Sequence, residues 1–117
     1  MDIETIRTIC TQLPVVTEDI KWGDNLCFLV GGKIFCIVNL SGNHSASFKV
    51  KDEEFEEMSD RPGLRPAPYL ARAKWILAEK PDALSRKEWE KYLAQSYNLI
   101  KSKLPLKVRT RLSSNMM

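Results

Sequence analysis

Gly31-Gly32-Lys33 resembles the close of a phosphate-cradling loop, with two glycines leading into a lysine. The G-x-x-x-x-G-K-[ST] spacing is missing, and a strand rather than a helix is expected to follow, so no helix N-terminus would aim its amides at a phosphate. The single histidine, His44, falls in a predicted hairpin turn beside Ser45, where a lone imidazole is ordinarily a surface residue. Ser41 has no nucleophile-elbow context. Carboxylates are dense over residues 52–60 (DEEFEEMSD), but they run consecutively along an exposed helix, whereas paired acid–base carboxylates need a cleft and partial desolvation. Cys10, Cys27 and Cys36 form an odd set with no C-x-x-C pair, and one histidine does not complete a zinc site with them. No catalytic template is filled, so the expectation is a protein that is not an enzyme, with no metal and no cofactor.

Cations and aromatics are the remaining chemistry. The formal charge of +3 conceals an asymmetry: residues 1–60 carry 5 Lys and Arg against 11 Asp and Glu, and residues 61–117 carry 13 against 4. The net charges are therefore −6 and +9. Such a distribution can place a basic face on a near-neutral protein, and a basic face attracts polyanions. Lys87, Lys91, Asn98 and Lys101 follow one another at helical steps, and Arg65, Arg72, Lys74, Lys103, Lys107, Arg109 and Arg111 could extend their stripe. Lysines on the outer face of an amphipathic helix are ordinarily just a solvated surface, and the acidic 52–60 segment would repel nucleic acid. Trp22, Trp75, Tyr69, Phe28, Phe35 and Phe48 could form a ligand pocket or a stacking platform for bases, although such residues ordinarily make the core of an α+β domain this size. Trp22 and Tyr69, flanked by turn residues, are the two expected at the surface.

The elements that must position these groups follow from periodicity. Ile3, Ile6, Ile9, Cys10 and Leu13 predict a first helix capped by Asp2 and stopped by Pro14. From residue 19 the period shortens, and four strands separated by Gly23-Asp24-Asn25, Gly31-Gly32 and Ser41-Gly42-Asn43 predict an antiparallel meander. A two-residue turn at Gly31-Gly32 pairs residue 30 with 33 and sets Cys27 opposite Cys36, so a cross-strand disulfide and two buried free thiols both fit. In that register Phe28, Val30 and Phe35 share one face, and Cys27, Leu29, Ile34, Cys36 and Val38 the other. One face must meet helices, and the other needs a cover or is left as an apolar patch for a partner. Asp52 is expected to cap a short acidic helix that buries Phe55 and Met58. Pro62 to Tyr69 reads as a stiff extended connection, and residues 73–78 as a fifth strand with Trp75 and Leu77 on one face and Ile76 on the other. Ser85 and Glu88 form a capping box opening the longest helix, residues 86 to about 104, with Trp89, Leu93, Tyr97 (or Tyr92), Ile100 and Leu104 buried and Pro105 as the stop.

These 117 residues are one domain's worth of chain, expected over residues 1–105 with a basic, flexible tail at 106–117. The apolar runs are strand-sized and MDIETIRT has no apolar signal segment, so a cytoplasmic protein without a membrane anchor is expected. The Asn39-Leu40-Ser41 and Asn43-His44-Ser45 sequons then lack an exported context.

The ordered set Ile20-Lys21-Trp22-Gly23, Pro62-Gly63-Leu64-Arg65-Pro66-Ala67-Pro68-Tyr69, Lys74-Trp75, Ser96-Tyr97 and Lys103-Leu104-Pro105 resembles the MmcQ/YjbR family over roughly residues 3–111. The resemblance implies a small bacterial α+β domain with a frataxin-like (CyaY-like) arrangement: an antiparallel sheet of about five strands with the first and last helices packed on one face. It also implies a DNA-binding label tied to a "double wing" hairpin architecture, which is fold-level analogy, and it brings no catalytic residues. Together with the charge asymmetry it predicts a non-enzymatic DNA-binding protein, with Arg65, Arg72, Lys74, Lys87, Lys91 and Lys101 as phosphate contacts. The alternatives are a protein-interaction or self-association module using the apolar sheet face and the Pro62–Tyr69 loop, and a small-ligand sensor built round Trp22, Tyr69 and Trp75.

Overall fold

The computed structural model describes residues 2–109. Helix α1 (Ile3–Thr11) starts at Asp2, whose carboxylate accepts from the Thr5 amide at 3.0 Å. Strands β1 (Val16–Lys21), β2 (Asn25–Val30), β3 (Lys33–Asn39) and β4 (Ala46–Lys49) form the expected meander. Gly31 and Gly32 both lie at positive φ, as a two-residue hairpin turn matching the strand twist requires. Helix α2 (Asp52–Ser59) then crosses to β5 (Leu64–Pro66), and β6 (Trp75–Ala78) returns between β4 and β5. The result is a six-stranded open antiparallel sheet in the order β1-β2-β3-β4-β6-β5. Its sixth strand, β5, is the segment expected to be only a stiff connection. Pro66 within it, with Pro62 and Pro68 on either side, suits it to a sheet edge, where a missing N–H costs no ladder bond.

Helix α3 (Arg86–Ser102) opens on the reciprocal Ser85–Glu88 capping box. Glu88's carboxyl is held below its ordinary range by the Ser85 amide first and then by Arg61, whose guanidinium lies 2.8 Å away. Helix α2 differs from expectation at its start: Lys51 is the cap residue and makes no side-chain cap bond, while Asp52 is the first helical residue. The three helices lie on one face of the sheet, where Ile6, Ile9, Met58, Trp89, Leu93 and Tyr97 meet Phe28, Val30, Phe48 and Ile76. Phe35 meets Tyr97 edge-on at 5.4 Å, and Phe48 meets Trp89 at 5.6 Å. Trp89 Nε1 donates to Pro81 O at 2.8 Å and the Tyr97 hydroxyl to Pro14 O at 2.6 Å, while the buried Arg109 Nε has no partner among the described residues. Of the tail expected at 106–117, residues 106–109 make a helical turn with Val108 against the core, and residues 110–117 lie outside the described residues.

The β2–β3 register carries one slip. Leu29 pairs with Ile34 but Phe28 pairs with Cys36, so Phe35 is an extra, bulged residue. A one-residue slip exchanges faces for everything beyond it. Cys36 and Val38 therefore join the core rather than the outer face, and Cys27 stands opposite Ile37, not Cys36. The Cys27–Cys36 disulfide geometry is overturned: the two thiols lie on opposite faces, and all three cysteines are free and buried. Cys36 faces Cys10 of α1 instead.

The bulge strands the Phe35 carbonyl, and α3 satisfies it. The fully buried Ser96 hydroxyl donates to Phe35 O at 2.6 Å and accepts from the Lys49 amide at 2.9 Å. Ser96→Ala leaves both groups buried and unpaired and is expected to cost about 2–4 kcal/mol, read as a lowered urea midpoint with an unchanged slope. A cost below ~1 kcal/mol would show that these bonds are replaceable.

Burial raises the Cys10 thiol well above its ordinary 9.0, aided by contact with Cys36. Burial also raises Cys27 above 9.0 and Tyr97 above 10.0. A pKa raised by folding means the native state holds the proton longer than the unfolded chain does, so this stability is complete below about pH 9 and is lost as pH climbs through the folded values. The urea midpoint is expected to fall as the pH rises above about 9, and to fall less steeply in Cys10→Ala. A flat profile would contradict the assignment.

Candidate functional site

With the helices on one face, the opposite face of the sheet is covered, among the described residues, by one loop. Residues 67–74 fold back over it through the short helical turn Ala71–Ala73. Between this loop and the β1–β2 turn lies a groove of about 450 Å³, lined by Trp22, Ile34, Ile37, Tyr69, Leu70 and Trp75, with Asn25 and Ser47 as polar points. The register explains the floor: Ile37 pairs with Ser47, Ser47 with Leu77, and Lys49 with Trp75, so these side chains alternate away from the core. Trp75 is buried there, while Trp22 is 70% exposed and Tyr69 fully so. Phe28, Phe35 and Phe48 belong to the core.

Trp22 and Tyr69 also share a backbone feature. Their φ angles are 50° and 65°, in the left-handed region, where Val15, His44 and Lys74 also lie. For residues with a Cβ this costs about 1–2 kcal/mol each, and such conformations concentrate at functional sites. Trp22 must turn this way to open the three-residue loop joining Lys21 to Asn25, its paired partner across β1 and β2. Neither ring has core packing to offset the strain. What the conformation achieves is presentation, with two aromatic rings on the rims of one groove.

The six cations nominated as phosphate contacts do not form one patch. Arg65 lies on the outer face of β5, 3.7 Å from Glu79, and helps line a separate hollow with Asn39, Ser41 and Ser45. Arg72 is exposed in the helical turn, and Lys74 just beyond it sits 5.0 Å from the centre of the Phe55 ring. Lys87 and Lys91 are exposed on α3, on the helical side of the domain, among the Arg86–Glu90 and Arg61–Glu88 pairs. Lys101 is half-buried over the Tyr97 ring at 5.5 Å rather than standing with them in solvent.

A different set of cations does meet. Lys49 is nearly buried, and its ammonium donates to the Ala73 carbonyl. Burial first, and then the charge of Lys103, push Lys49 below its ordinary pKa; Lys74 adds to this and Asp52 opposes it. Lys103 shares a small hollow with Lys33, Ile34 and Leu104. Lys33, Lys49, Lys74 and Lys103 thus gather at the end of the sheet where β4 stops and β3 and β6 begin. Sequence reading missed Lys33 and Lys49, since each looks like an ordinary strand lysine and only the sheet order brings it to Lys103. Among the described residues no group of His, Cys, Asp or Glu is arranged to hold a metal ion, and no helix is long and apolar enough to cross a membrane.

Fold and groove together define a small open-sheet α+β domain with a helical face and a groove-bearing face. The YjbR family model matches residues 11–99, and the chain belongs to this family, the MmcQ/YjbR family. Among solved structures it is similar to a Deinococcus radiodurans protein described by the domain DUF419, with a TM-score of 0.85 and 22% identity, covering 95% of this chain and 87% of that one. It is also similar to a Pseudomonas syringae protein, with a TM-score of 0.70 and 19% identity, covering 85% and 98%. At these identities the likeness is one of fold. No curated protein matches the chain.

Trp22→Gly and Tyr69→Gly each exchange about 1–2 kcal/mol of left-handed strain for about 0.5–1 kcal/mol of added unfolded-chain entropy. Each is expected to leave the urea midpoint unchanged or slightly higher. A loss above ~1 kcal/mol would mean the ring is packed rather than presented.

Proposed function

We propose that the protein is a non-enzymatic nucleic-acid-binding domain in which the lysines gathered at one end of the sheet contact backbone phosphates. The observation that carries this reading is the convergence of Lys33, Lys49, Lys74 and Lys103 from four separate stretches of chain, close enough for Lys103 and Lys74 to add to the effect of burial in depressing the Lys49 pKa. Cations held together against their own repulsion are relieved by an anion placed among them, and a phosphate backbone supplies anions at regular spacing. Arg72, exposed beside Lys74, extends the cluster toward the groove. The family's double-wing DNA-binding label agrees in direction but rests on fold analogy. Lys87 and Lys91 take a lesser part here, because they lie on the helical side with acidic neighbours.

A second reading, self-association through the outer face and the Pro62–Tyr69 loop, is favoured by the apolar groove floor and the full exposure of Tyr69. It predicts a mass that rises with concentration in sedimentation.

Labelled DNA titrated by fluorescence anisotropy at about 50 and 200 mM salt separates the two. About four phosphate contacts, from Lys33, Lys74, Lys103 and the exposed Arg72, give a log–log slope near −3.6, roughly a 100-fold loss over that range. The triple variant Lys33→Glu, Lys74→Glu, Lys103→Glu is expected to abolish binding at the lower salt, and the pair Lys87→Glu, Lys91→Glu to weaken it less than about tenfold. Unchanged affinity in the triple variant, or no binding by the wild type at the lower salt, would sink the nucleic-acid reading.

A further inference from the structure

We infer that the groove on the outer sheet face is a seat for unpaired bases, so that the nucleic acid recognised is single-stranded, with bases stacked on Trp22 and Tyr69 and phosphates running to Arg72 and Lys74. This rests on the nucleic-acid reading and adds to it the form of nucleic acid and the surface that holds it.

Shape is the first support. Trp22 and Tyr69 stand on opposite rims of one groove, each exposed and each held outward by a left-handed backbone. An aromatic face open to water is what an unstacked base needs, and every base has a π-face to offer it. In a duplex those faces are already stacked on one another and no ring can reach them without opening the helix. The groove, at about 450 Å³, has the size of an ordinary small-ligand pocket. Its floor is apolar at Ile34, Ile37 and Trp75, while the Asn25 amide and Ser47 hydroxyl supply the donors and acceptors that a base edge requires.

Charge continuity is the second support. Trp75, on the groove floor, pairs across the sheet with Lys49, the centre of the lysine cluster. Arg72 and Lys74 lie in the chain between two groove residues, Leu70 and Trp75. An aromatic platform flanked on one side by cations matches a strand whose bases and phosphates point in different directions. A second copy of the chain fits less well, since a two-fold contact through this face would bring the same lysines to one interface.

The test compares an oligo(dT) of about 12 nucleotides with a duplex of the same length at about 50 mM salt, by anisotropy and by tryptophan fluorescence. Oligo(dT) is expected to bind at least about tenfold tighter than the duplex and to quench the emission. Trp22→Ala and Tyr69→Ala are each expected to raise the oligo(dT) Kd about 5- to 150-fold, the range for loss of one stacked base, with the salt slope unchanged because the phosphate contacts remain. Quenching should be lost in Trp22→Ala, and Tyr69→Phe should restore most of the affinity lost in Tyr69→Ala. Circular dichroism and the urea midpoint of each variant establish that it is folded. Wild-type affinity in both alanine variants, or a duplex bound as tightly as oligo(dT), would overturn the base-seat inference and leave the phosphate reading standing. If neither nucleic acid binds at the same low salt, both fall. A monomer–dimer transition abolished by the same two alanine substitutions would overturn the inference by assigning the face to a second copy of the chain.

Discussion

The Ser96 hydroxyl donates to the Phe35 carbonyl and accepts from the Lys49 amide, and through these two bonds the last helix grips the place where the sheet's ladder slips. A bulge leaves one residue unpaired, and a stranded carbonyl in a core is costly unless something reaches it. Here a helix 61 residues further along the chain does so. The same bulge turns both Phe35 and Cys36 into the core, where Phe35 meets Tyr97 and Cys36 meets Cys10. The slip thus decides which side of β3 is core, and α3 holds it in that state.

This grip divides the sheet into two unlike faces. The helical face takes most of the large apolar side chains, and the polar atoms of Trp89, Ser96 and Tyr97 find partners there. The outer face keeps Ile34, Ile37 and Trp75 under partial cover from the 67–74 loop, and it holds backbone strain at Trp22 and Tyr69 without packing in return. Local conformations that raise the energy of the fold and expose rings to water are hard to account for by stability alone. The cations show the same separation. On α3 they alternate with carboxylates, as on a solvated helix surface, whereas at the sheet end four lysines from different segments converge.

Much of the fold is legible from local pattern. The Asp2 cap, the Ser85–Glu88 box, the Gly31-Gly32 turn and the four-strand meander depend on residues within a few positions of one another, so periodicity and turn chemistry reveal them. Trp22 and Tyr69 are readable as surface aromatics for the same reason. The bulge at Phe35 is not: its sequence neighbours are all apolar, so a slip by one residue leaves no trace in the hydrophobic pattern. Strand β5 is hidden by Pro66 and its neighbours Pro62 and Pro68, which mark an edge strand and a stiff loop alike. Asp52 has the composition of a cap, yet its place relative to Lys51 depends on where the chain leaves β4.

The sequence by itself determined most of the elements, the class of the domain, its family and the charge imbalance between its halves, because each is written in neighbouring residues or in composition. Only the tertiary structure decided which thiols meet, which lysines converge and which aromatics share a groove. Those outcomes depend on strand order and register, and both are set by long-range contacts such as Ser96 with Phe35 and Lys49, for which local periodicity carries no signal.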